Sequence, residues 1–153
     1  MKKFVAVLLA AVLCLSFAAC GGEKATGKTV DAAAMFKALL TDVTYTDNAT
    51  ELDSSMAGVL LGGELPDGTE AYLAANDSAY LRCAVFACKD KDSAAAVKKL
   101  IQTYIDDSID AKYNVDEVAL LQNAKIHSMG NYVAVAVTSD TDNVNKVIDQ
   151  YFA

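Results

Sequence analysis

The stretch Ala79–Lys89, AYLRCAVFACK, is an apolar run broken only by Arg82, and it constrains the fold more than any other part of the chain. Asn76-Asp77-Ser78 before it has turn chemistry, and Asp90 to Ser93 after it opens a helix. A run of this length between such signals reads as a central strand buried on most of both faces. The rest of the folded chain must supply its partners and its cover.

Those partners can be read in order. Val30–Thr41 is amphipathic, with Phe36, Leu39, Leu40 and Val43 at helical spacing and Thr29 placed to cap it. Val43–Thr46 reads as a short extended piece. Glu51–Leu61 fits a short helix capped by Asp53 or Ser54 and stopped by Gly62-Gly63. Pro66-Asp67-Gly68 is a turn, and Glu70–Ala75 a strand leading into the central one. Beyond the centre, Asp92 or Ser93 caps a helix that carries Val97, Leu100, Ile101, Tyr104 and Ile105 on one side. Val115–Leu121 is a further helical turn or two. Asn123–Ser128 and Tyr132–Thr138 are strands joined through Met129-Gly130-Asn131, and Asp142 caps a last helix carrying Val144, Val147, Ile148 and Tyr151.

The order strand–turn–strand–helix thus occurs twice. Two such units imply an α+β, two-layer sandwich: a four-stranded, mostly antiparallel sheet, both helices on one face, and an N-terminal helical segment besides. Matching periods alone do not establish a duplication. If Leu81, Cys83, Val85, Val133, Val135 and Val137 face the helices, Tyr80, Arg82, Phe86, Tyr132 and Ala134 face away. That second face is either covered by Val30–Leu61 or left as an aromatic groove, with Tyr80, Phe86 and Tyr132 as candidate ligand-binding residues.

The N-terminus carries an address. Met1–Ala19 has the layout of a secretory leader: Lys2 and Lys3, an apolar run from Phe4 to Leu15, then small residues before Cys20. Twelve apolar residues are too few to span a bilayer as a helix, which takes ~20. Ser16-Phe17-Ala18-Ala19-Cys20 resembles a bacterial lipobox, with Phe17 in place of the usual Leu. In that pattern the Cys20 thiol takes up a diacylglycerol before the leader is cut, and each buried methylene contributes ~0.8 kcal/mol to anchoring. The alternative is a secreted protein cut after Ala18, with Cys20 a spare thiol. Gly21–Thr29, GGEKATGKT, reads as a tether, and nine extended residues reach only ~30 Å. A lipid-anchored domain would therefore sit close to the outer face of the cell membrane. The expected organisation is leader 1–19, lipidated Cys20 and tether 20–29, and a single α+β domain 30–153.

With 153 residues, 54% of them hydrophobic, the chain can bury a core. Its net charge of −7, which loss of the two leader lysines makes more negative, disfavours nucleic acid and anionic lipid surfaces as partners.

Catalytic chemistry finds little to stand on. His127 is the only histidine and falls on the polar side of its strand. No Gly-x-Ser-x-Gly occurs, and the glycine pair Gly62-Gly63 is not followed by the Lys-Ser/Thr of a phosphate loop. Cys83 and Cys88 are an odd spacing apart on one strand, so they point to opposite faces and stay free thiols. No Cys-x-x-Cys or His at ligand spacing suggests zinc. Asp106, Ser108, Asp110 and Glu117 occupy positions 1, 3, 5 and 12 of a calcium-loop pattern, but Ala111 stands where that loop needs Gly. The expectation is no metal and no cofactor.

Several of these residues together carry a resemblance. Leu52-Asp53 and Met56, Ala84-Val85-Phe86, the helix Ala94–Tyr104, Tyr113, Asp116-Glu117 and Gly130-Asn131-Tyr132-Val133, behind a lipobox leader, resemble the domain of unknown function 4358 family, small lipoproteins of Gram-positive bacteria. Arg82-Cys83 stands where acidic or aliphatic residues are commoner in that family, and Val115 where a proline often precedes the acidic pair. The resemblance implies an extracytoplasmic lipoprotein and no established activity, so no catalytic residue transfers. The expected function is a non-enzymatic binding or accessory module at the cell envelope, with an envelope protein as partner. The alternative is a small-ligand or cation-binding lipoprotein that uses the acidic patch or the aromatic sheet face.

Overall fold

The computed structural model describes residues 29–111 and 114–153. The leader, Cys20, the tether up to residue 28 and Tyr113 lie outside the described residues. In chain order the elements are α1 (Ala32–Asp42), β1 (Thr50–Leu52), α2 (Met56–Leu61), β2 (Glu70–Ala75), β3 (Leu81–Ala87), α3 (Lys91–Ala111), α4 (Val115–Asn123), β4 (Lys125–Met129), β5 (Tyr132–Ala136) and α5 (Thr141–Phe152). The class is α+β, and the sheet has five strands in the order β1-β2-β3-β5-β4, every neighbouring pair antiparallel.

β3 is the middle strand, and six of its seven residues are buried. An apolar run without alternation requires that burial, since either face left wet would expose a row of apolar side chains. The fifth strand, β1, is only three residues long and pairs Thr50, Glu51 and Leu52 with Ala75, Ala74 and Leu73. Its alternation is too short to be seen in the sequence, where Glu51 and Leu52 fall just ahead of the expected cap of a short helix.

The expected two layers are three. Ala84 and Phe86 pair with Val135 and Val133, and together with Leu73 they pack beneath α2, α3 and α4. Cys83 and Val85 pair with Ala136 and Ala134, and with Ala74 they pack beneath α1 and α5. The sequence phasing that placed Cys83 and Val85 beside Val133 and Val135 is therefore wrong by one residue. Alternation holds within a strand except at a bulge, but one residue of register slip between strands exchanges the faces. The small residues of the second face leave depth for the large side chains of α1, Met35, Phe36 and Leu39, all at most 1% exposed. Phe36 also meets Tyr72, ring centroids 6.1 Å apart.

The helices that follow the two hairpins, α3 and α5, thus lie on opposite faces. A two-fold axis relating antiparallel neighbours would keep both helices on one face, so the strand–strand–helix echo is not a symmetric repeat.

Local signals set the element ends, some of them one step from where the sequence suggests. Asp31, not Thr29, caps α1 by accepting from the Ala34 N–H at 2.9 Å. Asp90 accepts from the Ser93 N–H at 2.8 Å at the start of α3. Gly62 ends α2 in the left-handed region, as a helix-stop glycine should. Gly130, φ +57°, makes the two-residue turn between β4 and β5.

Candidate functional site

The three aromatic candidates do not share a face. Phe86 is fully buried beneath α3, while Tyr132 is half-buried against the opposite cluster. Tyr80 precedes β3 in a loop closed by Asn76, whose Oδ1 accepts from the Tyr80 N–H at 2.9 Å. Phe86 and Tyr132 thus belong to different cores, and of the two readings of the second face the covered one fits, with α1 from Val30–Leu61 and also α5 packed over Tyr132.

The most organised polar cluster centres on Arg82, which is 1% exposed. β2 pairs Ala74 with Cys83 but Ala75 with Leu81, so Arg82 is the extra residue of a β-bulge. The bulge releases its side chain from the alternation and turns it toward two carboxylates. Nε and Nη2 donate to Asp47 at 2.6 and 2.9 Å, and Nη1 and Nη2 donate to Glu117, both at 2.8 Å. The remaining Nη1 proton goes to the Leu81 carbonyl at 3.2 Å. All five guanidinium protons are used, the condition under which a buried arginine is tolerated. The cluster joins the α1–β1 loop, the central strand and the first turn of α4.

Its electrostatics follow from the geometry. Burial works against the Arg82 charge, and the two carboxylates more than offset it, so the group is held protonated well above the ordinary range. The Arg82 hydrogen bonds hold the Asp47 carboxyl at about 2, below its usual 3.8, with help from the Asn76 amide at 2.7 Å. Sequence reasoning met Arg82 only as a departure from a family pattern and Glu117 only as a calcium-loop position. The available signal was the strand itself: an arginine inside an apolar run needs a carboxylate partner.

The calcium pattern does not form a loop. Asp106, Ser108 and Asp110 are on α3, which stays helical to Ala111, and the Glu117 carboxylate is occupied by Arg82. The two thiols are placed as expected, free, buried and on opposite sides of the sheet. Burial pushes Cys83 up to about 12 and raises Cys88 as well, which leaves both poor nucleophiles.

His127 is half-buried on β4, on the side facing α5. A shallow groove runs between that edge strand and the helix. Lys125, His127, Thr141 and Asn145 line it over an apolar floor of Ala136 and Val144. Burial lowers the His127 pKa, neighbouring Lys125 lowers it further, and Asp149 on α5 opposes both. Spacing on a strand cannot reveal this groove, since Thr141, Val144 and Asn145 of its lining come from α5.

Fold and site together define a mixed α+β domain in which a five-stranded antiparallel sheet carries helices on both faces. Residues 66–138, from the turn before β2 to just past β5, match the family model described as Domain of unknown function (DUF4358). No curated protein and no solved structure matches the chain.

Proposed function

We propose that the mature protein is a lipid-anchored lipoprotein, held through Cys20 on the extracytoplasmic face of the membrane of a Gram-positive cell, where it acts as a non-enzymatic binding or accessory module. The observation that carries this is the leader: two lysines, an apolar run and Ala18-Ala19-Cys20. The folded part favours a short stalk. Val30 is already buried in the cluster beneath α1, so the tether between lipid and core has about the nine residues whose extended reach is ~30 Å. The buried ionisable groups serve the fold: Arg82, Glu117 and Asp47 satisfy one another, and the two thiols are shielded. Among the described residues no helix is long and apolar enough to cross a membrane.

Metabolic labelling with an alkyne fatty acid tests the anchor. Wild-type protein is expected to carry the label and fractionate with membranes, and Cys20→Ala to lose both. Unlabelled wild type in the medium would replace this reading with the secreted one. Crosslinking in the native host, with Cys20→Ala as the unanchored control, tests the accessory role through the appearance of one dominant envelope protein.

A further inference from the structure

β4 is an outer strand, and its backbone phase is fixed by two hydrogen bonds across the neighbouring pair. Cys88 N–H donates to the Asn131 carbonyl at 2.8 Å and Val137 N–H to the Arg82 carbonyl at 2.7 Å. Antiparallel alternation then directs the backbone of Val133 and Val135 toward β3, and that of Tyr132, Ala134 and Ala136 toward β4. On β4 the groups left for the outer side are those of Ile126 and Ser128. They form two donor–acceptor sites at the two-residue repeat of a β-ladder, and among the described residues no strand occupies them.

Most of the devices that usually protect an edge are missing here. β4 keeps a regular register over all five residues, has no proline, and carries its one lysine at the end of the strand. The opposite edge, β1, is blunted by its three-residue length. β4, moreover, has a groove beside it, the one between Lys125, His127 and α5.

We propose that β4 and this groove bind an extended segment of a partner polypeptide, which joins the sheet as a sixth strand and sets an acidic side chain beside Lys125. Main-chain pairing at Ile126 and Ser128 supplies register, and side chains pointing toward α5 enter the groove over Ala136 and Val144. The Lys125 charge selects a carboxylate, with Thr141 and Asn145 as further polar partners. A second copy fits less well. Pairing β4 with β4 in this phase sets His127 against its equivalent and Lys125 against Met129, with no carboxylate across, and brings two chains of net charge −7 together. This inference deepens the binding-module reading and rests on it, but not on the anchor.

Full-length protein in detergent is panned against a phage-displayed library of random peptides, and selected peptides are measured by fluorescence anisotropy. Binders are expected to share an extended pattern with an acidic residue. Ser128→Pro removes one outward N–H and fills the edge while leaving the β4–β5 pairing intact, and is expected to weaken binding about tenfold, the effect of one main-chain hydrogen bond. Ser128→Ala should bind as wild type. Lys125→Glu should exchange the acidic preference for a basic one, and decides the matter if circular dichroism shows Ser128→Pro unfolded. An absence of enriched peptides, or wild-type binding by both Ser128→Pro and Lys125→Glu, overturns the proposal. A concentration-dependent dimer that Ser128→Pro abolishes also overturns it, because a second copy then owns the edge. Envelope crosslinking separates the two levels: a partner captured equally by wild type and Ser128→Pro removes the groove and keeps the module, whereas no partner in either removes the module.

Discussion

Arg82 carries a full charge in the middle of the sheet, and its removal is expected to be costly for a specific reason. Arg82→Met leaves Glu117, 7% exposed, as an uncompensated buried carboxylate, which costs about 3–5 kcal/mol. Arg82→Met with Glu117→Leu removes both charges and should recover much of that loss, because a matched apolar pair replaces a desolvated ion pair. Urea unfolding of the single and double variants measures this; a double variant no more stable than Arg82→Met would show that the network does more than neutralise itself. The pH dependence has a definite sign. The folded Asp47 pKa of about 2 lies below the ordinary 3.8, so its contribution to stability is complete above pH 3.8 and disappears as pH falls toward 2. Thermal melts across that window should show Asp47→Asn with a flatter acid limb than wild type. The side chain is 38% exposed, so solvent screening keeps the effect small.

At the scale of elements, the β4–β5 hairpin shows how turn chemistry positions a strand edge. Gly130 has a φ of +57° and open space around its missing Cβ, so Gly130→Ala meets only backbone strain, about 1–2 kcal/mol. The expected melt shows that loss with an unchanged far-ultraviolet spectrum; a larger loss would mean that the turn itself rearranges. The Asn131 side chain donates to the Cys88 carbonyl while Cys88 donates to the Asn131 carbonyl, which clasps the turn to the end of β3. The Gly130-Asn131-Tyr132-Val133 motif is thus explained by backbone: a left-handed turn, a clasp, and the start of β5.

The whole molecule depends on parts outside the segment that matches the family model. Residues 66–138 contain β2 to β5, α3 and α4, but neither α1 nor α5. Those two helices supply Met35, Phe36, Leu39, Val144, Val147 and Ile148 to one entire core. A fragment of residues 66–138 would bare the apolar face of Cys83, Val85, Ala134 and Ala136, and is expected to bind a hydrophobic dye and to melt without a cooperative transition. A sharp melt of that fragment would mean that one covered face suffices. Within the full chain, Phe36 alone fills enough of this core that Phe36→Ala should cost about 3–5 kcal/mol.

Much of this molecule was local enough to be written in its residues. Helical spacing located α1, α3 and α5, turn residues separated β2 from β3 and β4 from β5, and the apolar run of β3, interrupted by Arg82, marked the centre of the sheet. The odd spacing of Cys83 and Cys88 was enough to send them to opposite faces. These features depend on periods of two and 3.6 residues, which a chain carries within itself. Register between strands does not, and so the faces of β3 and β5 were mismatched by one residue, the helices were assigned to a single layer, and β1 was missed. The same limit hid Arg82's partners, since Asp47 and Glu117 are both 35 residues away in the chain. The groove beside β4 is likewise made where α5 returns to the sheet. What depends on neighbours along the chain was settled by sequence; which face, which partner and which edge stays open were decided only when distant segments packed together.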